Sequence, residues 1–199
     1  MKSKKVFLLS AALVLCAGIL HAEEEMKTTA NQIINAPPPE MVKMVAPLTV
    51  TGEADVKGTT EGSKVSGTVT FLQQGENVLV QAKFSNLPPG KHGFHIHEKG
   101  SCEDQGKAAG GHFNPMGTPH GFLPQDGMEK AHSGDLGNTL ADEKGDAAIM
   151  MLLPGVTLQG GMHDVAGLAV IVHEKEDDFG QPTGNAGGRI GCGIISVNK

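Results

Sequence analysis

Apolar and polar residues alternate with a period of two over seven short spans of the chain: Leu48–Val56, Lys64–Leu72, Val78–Phe84, His92–His97, Ala147–Leu152, Ala166–His173 and Gly193–Val197. That is the period of a strand with one face buried, because successive side chains point to opposite sides of the backbone. Glycine-rich breaks separate the spans, and Gln74-Gly75-Glu76-Asn77 and Glu143-Lys144-Gly145-Asp146 read as hairpin turns. Helical periodicity is not evident in this part of the chain. Short, regularly spaced strands predict an all-β sandwich or barrel. Two stretches fit no strand pattern, Lys99 to Asp135 and Glu174 to Arg189. Structureless segments of that length inside a compact domain are functional or disordered. Here they carry histidines, a cysteine and an arginine, which favours function.

The first residues have a different pattern. Lys2, Lys4 and Lys5 precede the apolar run Val6–Leu20, which only Ser10 interrupts, and an acidic cluster begins at Glu23. The run has the length of an export signal and is too short to span a bilayer. Cleavage after Ala22 is expected. The rival is a lipoprotein signal ending at Cys16, against which Leu15 argues, because a small residue normally precedes a lipid-modified cysteine. Residues 23–46 bear prolines (Pro37-Pro38-Pro39) and read as a flexible tether, with only a weak helical signal at Met41–Val45. Residues 47–199 are enough for one domain with one core.

Removing the signal changes the charge and the cysteine count. The whole chain is at −6; residues 23–199 hold thirteen lysines and arginines against twenty-two acids, a net −9. Such a chain is a poor partner for nucleic acid or an anionic membrane. Cys102 and Cys192 are left as the only cysteines of the exported form, and two cysteines in an exported chain pair as one disulfide.

The chemistry is concentrated between Gly93 and Asp135. His95 and His97, two apart on an extended segment, share one face and can grip one ion. His112, His120, His132 and Asp135 follow, with His173 and the only arginine, Arg189, downstream. Gly93-Phe94-His95-Ile96-His97-Glu98-Lys99-Gly100 resembles the first signature of copper/zinc superoxide dismutases. Gly184-Asn185-Ala186-Gly187-Gly188-Arg189-Ile190-Gly191-Cys192-Gly193 resembles the second. Gly111-His112-Phe113-Asn114-Pro115, His132-Ser133-Gly134-Asp135-Leu136-Gly137-Asn138 and Val172-His173-Glu174-Lys175 match in the same order, so the resemblance runs from about Val50 to Val197.

The resemblance implies a Greek-key β-sandwich or flattened barrel with two long functional loops. It implies copper held by His95, His97, His112 and His173, and zinc held by His112, His120, His132 and Asp135, with His112 as the bridge. It makes Cys102–Cys192 an intrasubunit disulfide, Arg189 the anion-guiding group and Asp177 the outer carboxylate linking His95 to His120. Four imidazoles suit both oxidation states of copper. Three imidazoles and a carboxylate suit a closed, redox-silent zinc site. The implied reaction is conversion of superoxide to dioxygen and hydrogen peroxide, with His112 delivering a proton. The implied local charge, about +3 from two ions, two anionic ligands and Arg189, outweighs the global negative charge at short range.

The loop between His173 and Arg189 is several residues shorter than in animal members, with Gln181-Pro182-Thr183 in place of a longer segment bearing a lysine. Part of the guidance must then come from elsewhere; Lys107 and Lys130 are candidates. The export signal and the single disulfide favour a bacterial, periplasmic member, and a homodimer is compatible with the chain. Two other readings remain: a non-catalytic periplasmic copper/zinc-binding protein, which should lack a copper ligand or the arginine, and a zinc hydrolase, which needs an open zinc position. His92 and His163 have no motif role and read as structural or surface residues. Met150 and Met151 read as strand core, and Asp177 and Asp178 otherwise as a solvated acidic turn.

Overall fold

The computed structural model describes residues 50–198. The expected signal (1–22), the whole of the expected tether (23–46) and the short helix expected at Met41–Val45 lie outside them. Nine strands follow in order: β1 (Thr51–Gly58), β2 (Ser66–Gln74), β3 (Asn77–Ser85), β4 (Gly90–His97), β5 (Asp135–Ala141), β6 (Ala147–Pro154), β7 (Ala169–His173), β8 (Arg189–Ile194) and β9 (Ser196–Asn198). All the pairings between them are antiparallel. The hydrogen-bonded order is β5-β4-β7-β8-β1-β2-β3-β6, with β9 beside β1. β5 and β6 are consecutive in sequence yet stand at opposite ends of that order, so the sheet curls into a nearly closed barrel. The connections β3–β4 and β6–β7 each skip strands, which gives the Greek-key path.

Alternation decides what fills the barrel. Val69 and Phe71 of β2, Val78, Val80 and Ala82 of β3, Phe94 and Ile96 of β4, and Val170 and Val172 of β7 point inward to one apolar core. The outward residues of β7 and β8, Ala169, Ile171 and Cys192, pack with Ala109 in a second, smaller cluster under the first long loop. There the disulfide closes: Cys102 and Cys192 are bonded, with their Cα atoms 5.7 Å apart. The two long loops, residues 98–134 and 174–188, therefore cover the outside of the barrel at β4, β7 and β8. Strands under them are buried on both faces, as the unbroken burial of Ala169–His173 shows.

Four expectations are corrected. Asp135–Ala141 is a strand that alternation does not reveal, because it too is buried on both faces for most of its length and has Gly137 and Asn138 inside it. The span Gly193–Val197 is not one strand: β8 and β9 meet at Ile195, and β1 pairs with β8 at one end and β9 at the other. The second expected hairpin turn is a tight turn at Asp142–Asp146, but it is a barrel corner, since the strands it joins are not bonded to each other. Met150 is not core: it points outward and is 67 % exposed, while Met151 packs against the core from a half-buried position. Inside the first loop the sequence also hid a 3-10 turn, Lys107–Ala109, and a one-turn helix α1 (Leu123–Asp126), both too short for periodicity to show.

The disulfide closes a 90-residue loop, which in the chain-entropy account destabilises the unfolded state by up to ~4–5 kcal/mol. Replacing Cys102 and Cys192 together by serine should therefore lower the unfolding free energy of the metal-free protein by a few kcal/mol. Urea unfolding of the two proteins measures this; a loss under about 1 kcal/mol would show that the unfolded chain is not what the bond acts on.

Candidate metal centre

The site forms where the outer face of the barrel meets both loops. His95 and His97 project outward from β4, on the face opposite Phe94 and Ile96. His173 ends β7 after a register shift between Val172 and His173. His112 is held against the end of β4 by a bridge to His97. His120 and His132 come from the rest of the first loop, and Asp135 opens β5. All seven side chains are buried. One nitrogen each from His95, His97, His112 and His173 lies within 4.8 Å of the others, and the same holds for His112, His120, His132 and Asp135. His112 belongs to both groups.

The ring hydrogen bonds fix which nitrogen faces inward. His97 Nδ1–H donates to Gly110 C=O at 2.9 Å, and His173 Nδ1 faces Gly187 C=O at 3.4 Å. Their Nε2 atoms then meet 3.3 Å apart, two lone pairs that need a cation or a proton between them. His95 Nε2–H donates to Asp177 Oδ2 at 2.8 Å, leaving its Nδ1 buried with no hydrogen-bond partner. His120 Nε2 lies 3.0 Å from Asp177 Oδ1. Its Nδ1 is 2.9 Å from Asp135 Oδ2 but off the hydrogen-bond direction, so it too is unpartnered. Buried imidazole nitrogens without partners, aimed at a common space beside a carboxylate, fit metal ligands and little else.

Asp135 and Asp177 are themselves held by the backbone. Gly121 N–H and His132 N–H each donate to Asp135 Oδ2 at 2.9 Å. His112 Nδ1 and His132 Nδ1 lie 2.8 and 3.1 Å from Asp135 Oδ1. Burial opposes ionisation of Asp135, but these ring and backbone contacts outweigh it and hold its pKa far below the carboxylate range. Asp177 is lowered for the same reasons, through His120, His95 and Phe179 N–H. Its main chain is gripped by Asn138, whose Oδ1 accepts from Asp177 N–H at 2.7 Å and whose Nδ2 donates to Asp177 C=O at 2.9 Å. Gly184 must be glycine here: at φ 75° a Cβ would stand 1.8 Å from Asp177 Oδ1 and 2.8 Å from His120 Nε2.

The two groups differ in proton affinity. Burial pushes His97 down to about 2, His173 to about 3 and His112 to about 4, and it lowers His95 from the usual histidine range as well. These rings are neutral ligands at ordinary pH. For His120 burial also opposes the charge, but the carboxylates of Asp135 and Asp177 close to its ring win and raise it to about 9.

Arg189 lies at the start of β8 with Nη1 donating to Gly106 C=O at 2.5 Å and Nη2 to Gly110 C=O at 2.6 Å. Burial lowers its pKa, yet a guanidinium keeps its charge at neutral pH. It shares with His97, His112, His173 and Thr183 the wall of an open cavity of about 180 Å³. A larger hollow of about 460 Å³ on the outer face of β2, β3 and β6 has no histidine or carboxylate in its wall. Lys107 opens the 3-10 turn between the two glycines that hold Arg189, and neither it nor Lys130 lines the smaller cavity.

The structure thus brings together the seven candidate ligands, Asp177 and Arg189, leaves Lys107 and Lys130 off the cavity wall, and adds some residues that the sequence did not mark. His92 is buried with Nδ1 2.9 Å from His173 C=O and Nε2 2.7 Å from Pro88 C=O, so it braces the strand end that carries His173. His163 bonds Ser133, the neighbour of His132, at 2.9 Å. Asp178, by contrast with buried Asp177, is the exposed half of the acidic pair.

A family model described as copper/zinc superoxide dismutase matches residues 65–195. The extracellular superoxide dismutase [Cu-Zn] of Drosophila melanogaster is 36 % identical over 198 residues, covering 95 % of this chain and 97 % of that protein. Superoxide dismutase [Cu-Zn] 5 of Dictyostelium discoideum is 38 % identical over 148 residues, 70 % of this chain and 95 % of that one. Among solved structures, the clock protein EA4 superposes with a TM-score of 0.65 at 40 % identity, covering 73 % of this chain and 93 % of that chain.

Protons should separate the two groups in the metal-free protein. His120 must lose a proton to bind an ion at neutral pH, so the metal affinity of the group His112, His120, His132 and Asp135 should rise with pH up to about 9. Affinity at the group His95, His97, His112 and His173 should be nearly flat over the same range, because His97, His112 and His173 are already neutral. Competition titrations of the metal-free protein at several pH values give both slopes. Equal slopes would contradict the opposite shifts.

Proposed function

We infer, because this chain belongs to the copper/zinc superoxide dismutase family and is an enzyme of that kind, that its two histidine groups divide the family's two ions between them. His95, His97, His112 and His173 hold copper, and His112, His120, His132 and Asp135 hold zinc. The observation that carries this assignment is that His112 alone belongs to both groups. When bound, copper supplies a one-electron couple and zinc a fixed positive charge. The substrate is superoxide.

The residues do the rest. His95, His97 and His173 present neutral nitrogens whose orientation Asp177 and two backbone carbonyls fix. Asp135, anchored by two backbone N–H groups, sets the closed end of the second group. No open ligand position or free general base accompanies that group, which argues against a zinc hydrolase. His112 Nδ1 is fixed on the Asp135 side, so its Nε2 faces the copper side. There it can take up a proton and give it to a superoxide reduced by one electron, which with a second proton from water leaves as hydrogen peroxide, the electron having come from a first superoxide that leaves as dioxygen. Arg189 draws the anion into the cavity and orients it; among the described residues no carboxylate cancels its charge, since it donates to two backbone carbonyls. A copper/zinc buffer without activity would have no use for that group.

The disulfide supports export to an oxidising compartment, as do relatives whose names call them extracellular, from Drosophila melanogaster and Haemonchus contortus. The narrower reading, a bacterial member cleaved after Ala22 and released into the periplasm with residues 23–46 as a tether and 47–199 as the catalytic domain, rests on the sequence pattern alone.

Replacing His120 or His132 by alanine should remove zinc and leave some copper, read by elemental analysis of the purified variants. Unchanged zinc in both would sink the division of ligands. Arg189→Ile should bind both ions normally and lose most of the rate, on the order of 10-fold or more, if one charged contact worth ~1.5–3 kcal/mol is removed. Arg189→Lys should lose less, since the charge survives though the planar fork does not. The native rate should fall as salt rises, because steering is screened. Pulse radiolysis of the three proteins at two salt concentrations decides, and equal rates for Arg189→Ile and native protein would refute the guiding role.

A further inference from the structure

His120 has main-chain partners that come from the other loop. Gln181 Oε1 accepts from His120 N–H at 3.0 Å, and Gln181 Nε2 donates to His120 C=O at 2.8 Å. The carboxamide thus pairs with both polar groups of a residue 61 positions away, as a neighbouring strand would. Among the described residues these are the only hydrogen bonds that the main chain of His120 makes. Its ring is held by Asp177 and faces the ring of Phe179, with centroids 6.4 Å apart and planes at 21°. Asp177, Phe179 and Gln181 all belong to the loop of residues 174–188.

We propose that Gln181 is a positioning residue for the zinc side of the centre, holding the main chain of His120 so that Nδ1 stays aimed at the ion. The inference rests on the assignment of His120 to zinc made above. Only a primary carboxamide offers a donor and an acceptor side by side in one plane, and asparagine is one carbon shorter. Without the clamp, His120 would lose both of its own main-chain hydrogen bonds and be left to its ring contact with Asp177 and to the Gly121 N–H bond to Asp135 just after it. Thr183, two residues on, forms part of the cavity wall beside Arg189. One side chain therefore ties the shortened loop to the zinc ligand and sets the copper-side wall in register with it.

Loss of a partner in this outer layer typically weakens metal binding about 10- to 100-fold. Gln181→Leu should accordingly release zinc to excess chelator about 10-fold faster than the native holoprotein. Gln181→Glu keeps the acceptor and the size but not the donor, and should fall between the two. Asp178→Ala is the control: the Asp178 carboxylate accepts from Gly180 N–H and Asn185 Nδ2 within the same loop but does not touch His120. It should change the release rate by less than about twofold if loop bracing alone contributes little. Cobalt(II) placed in the zinc site gives a second readout, since its visible bands report ligand geometry; they should shift in Gln181→Leu and not in Asp178→Ala. Native release rates in both Gln181 variants, or equal acceleration in Asp178→Ala, would overturn the proposal. Should Gln181→Leu fail to fold, Gln181→Glu carries the comparison. Zinc retained by His120→Ala would instead overturn the site assignment itself, which separates the two failures.

Discussion

Two carboxylates with no solvent exposure, Asp135 and Asp177, are the constraint around which the two long loops are folded. An unpaired buried carboxylate costs several kcal/mol, so each must be surrounded by donors or cations. The protein answers with backbone N–H groups on one side and imidazoles on the other. The result is a cycle. His95 bonds Asp177, Asp177 bonds His120, His120 Nδ1 abuts Asp135, Asp135 bonds His112, and the rings of His112 and His95 meet with centroids 4.1 Å apart. Rotating Asp177 or Asp135 would break the contacts of the rings bonded to it. Such a cycle holds ligand geometry before any ion arrives, and the ions then replace contacts between like lone pairs.

The barrel makes the cycle possible by giving it a rigid wall. Antiparallel pairing of β4 with β7 sets His95 beside Ile171 and His97 beside Ala169. Phe94 and Ile96, between and beside the histidines, anchor the same strand in the core. Displacing either ring would therefore mean moving a packed strand. The first loop is pinned at its start by the disulfide and at its end by Asp135, the second by β7 and β8. Main-chain clamps by Asn138 and Gln181 close the remaining freedom, and both use carboxamides because only those satisfy N–H and C=O together.

Much of this was readable in the sequence. Strands with one wet face, such as β1, β2 and β3, alternate and were placed to within a few residues. The candidate ligands sit in local motifs, so the sequence can name them, although only folding brings His173 to His97. What stayed hidden has a common cause. β5 is dry on both faces, so it carries no alternation. Met150 alternates correctly yet faces water, because periodicity tells that residues share a face and not which face is inside. His92, Asn138 and Gln181 act on partners 81, 39 and 61 residues away. No local spacing encodes such contacts.

The charge balance bears on the role proposed for the single arginine. The expected exported chain is at −9, and an anion far from the surface meets that average. Exposed charges are screened within about 8 Å at physiological salt, so the repulsion fades before the anion enters the cavity. Inside, low-dielectric walls make the nearest charges count most. Glu98 is turned aside there, its Oε1 accepting from Gly111 N–H at 3.1 Å rather than pairing with Arg189. The guanidinium spends donors on Gly106 and Gly110 carbonyls instead, which fix its direction without neutralising it. His97 and His173, held neutral by burial, add no competing anionic character to the same wall. A positive charge that no carboxylate among the described residues cancels, in a half-enclosed cavity beside His97, His112 and His173, is therefore what an entering anion meets last, whatever the sign of the rest of the molecule.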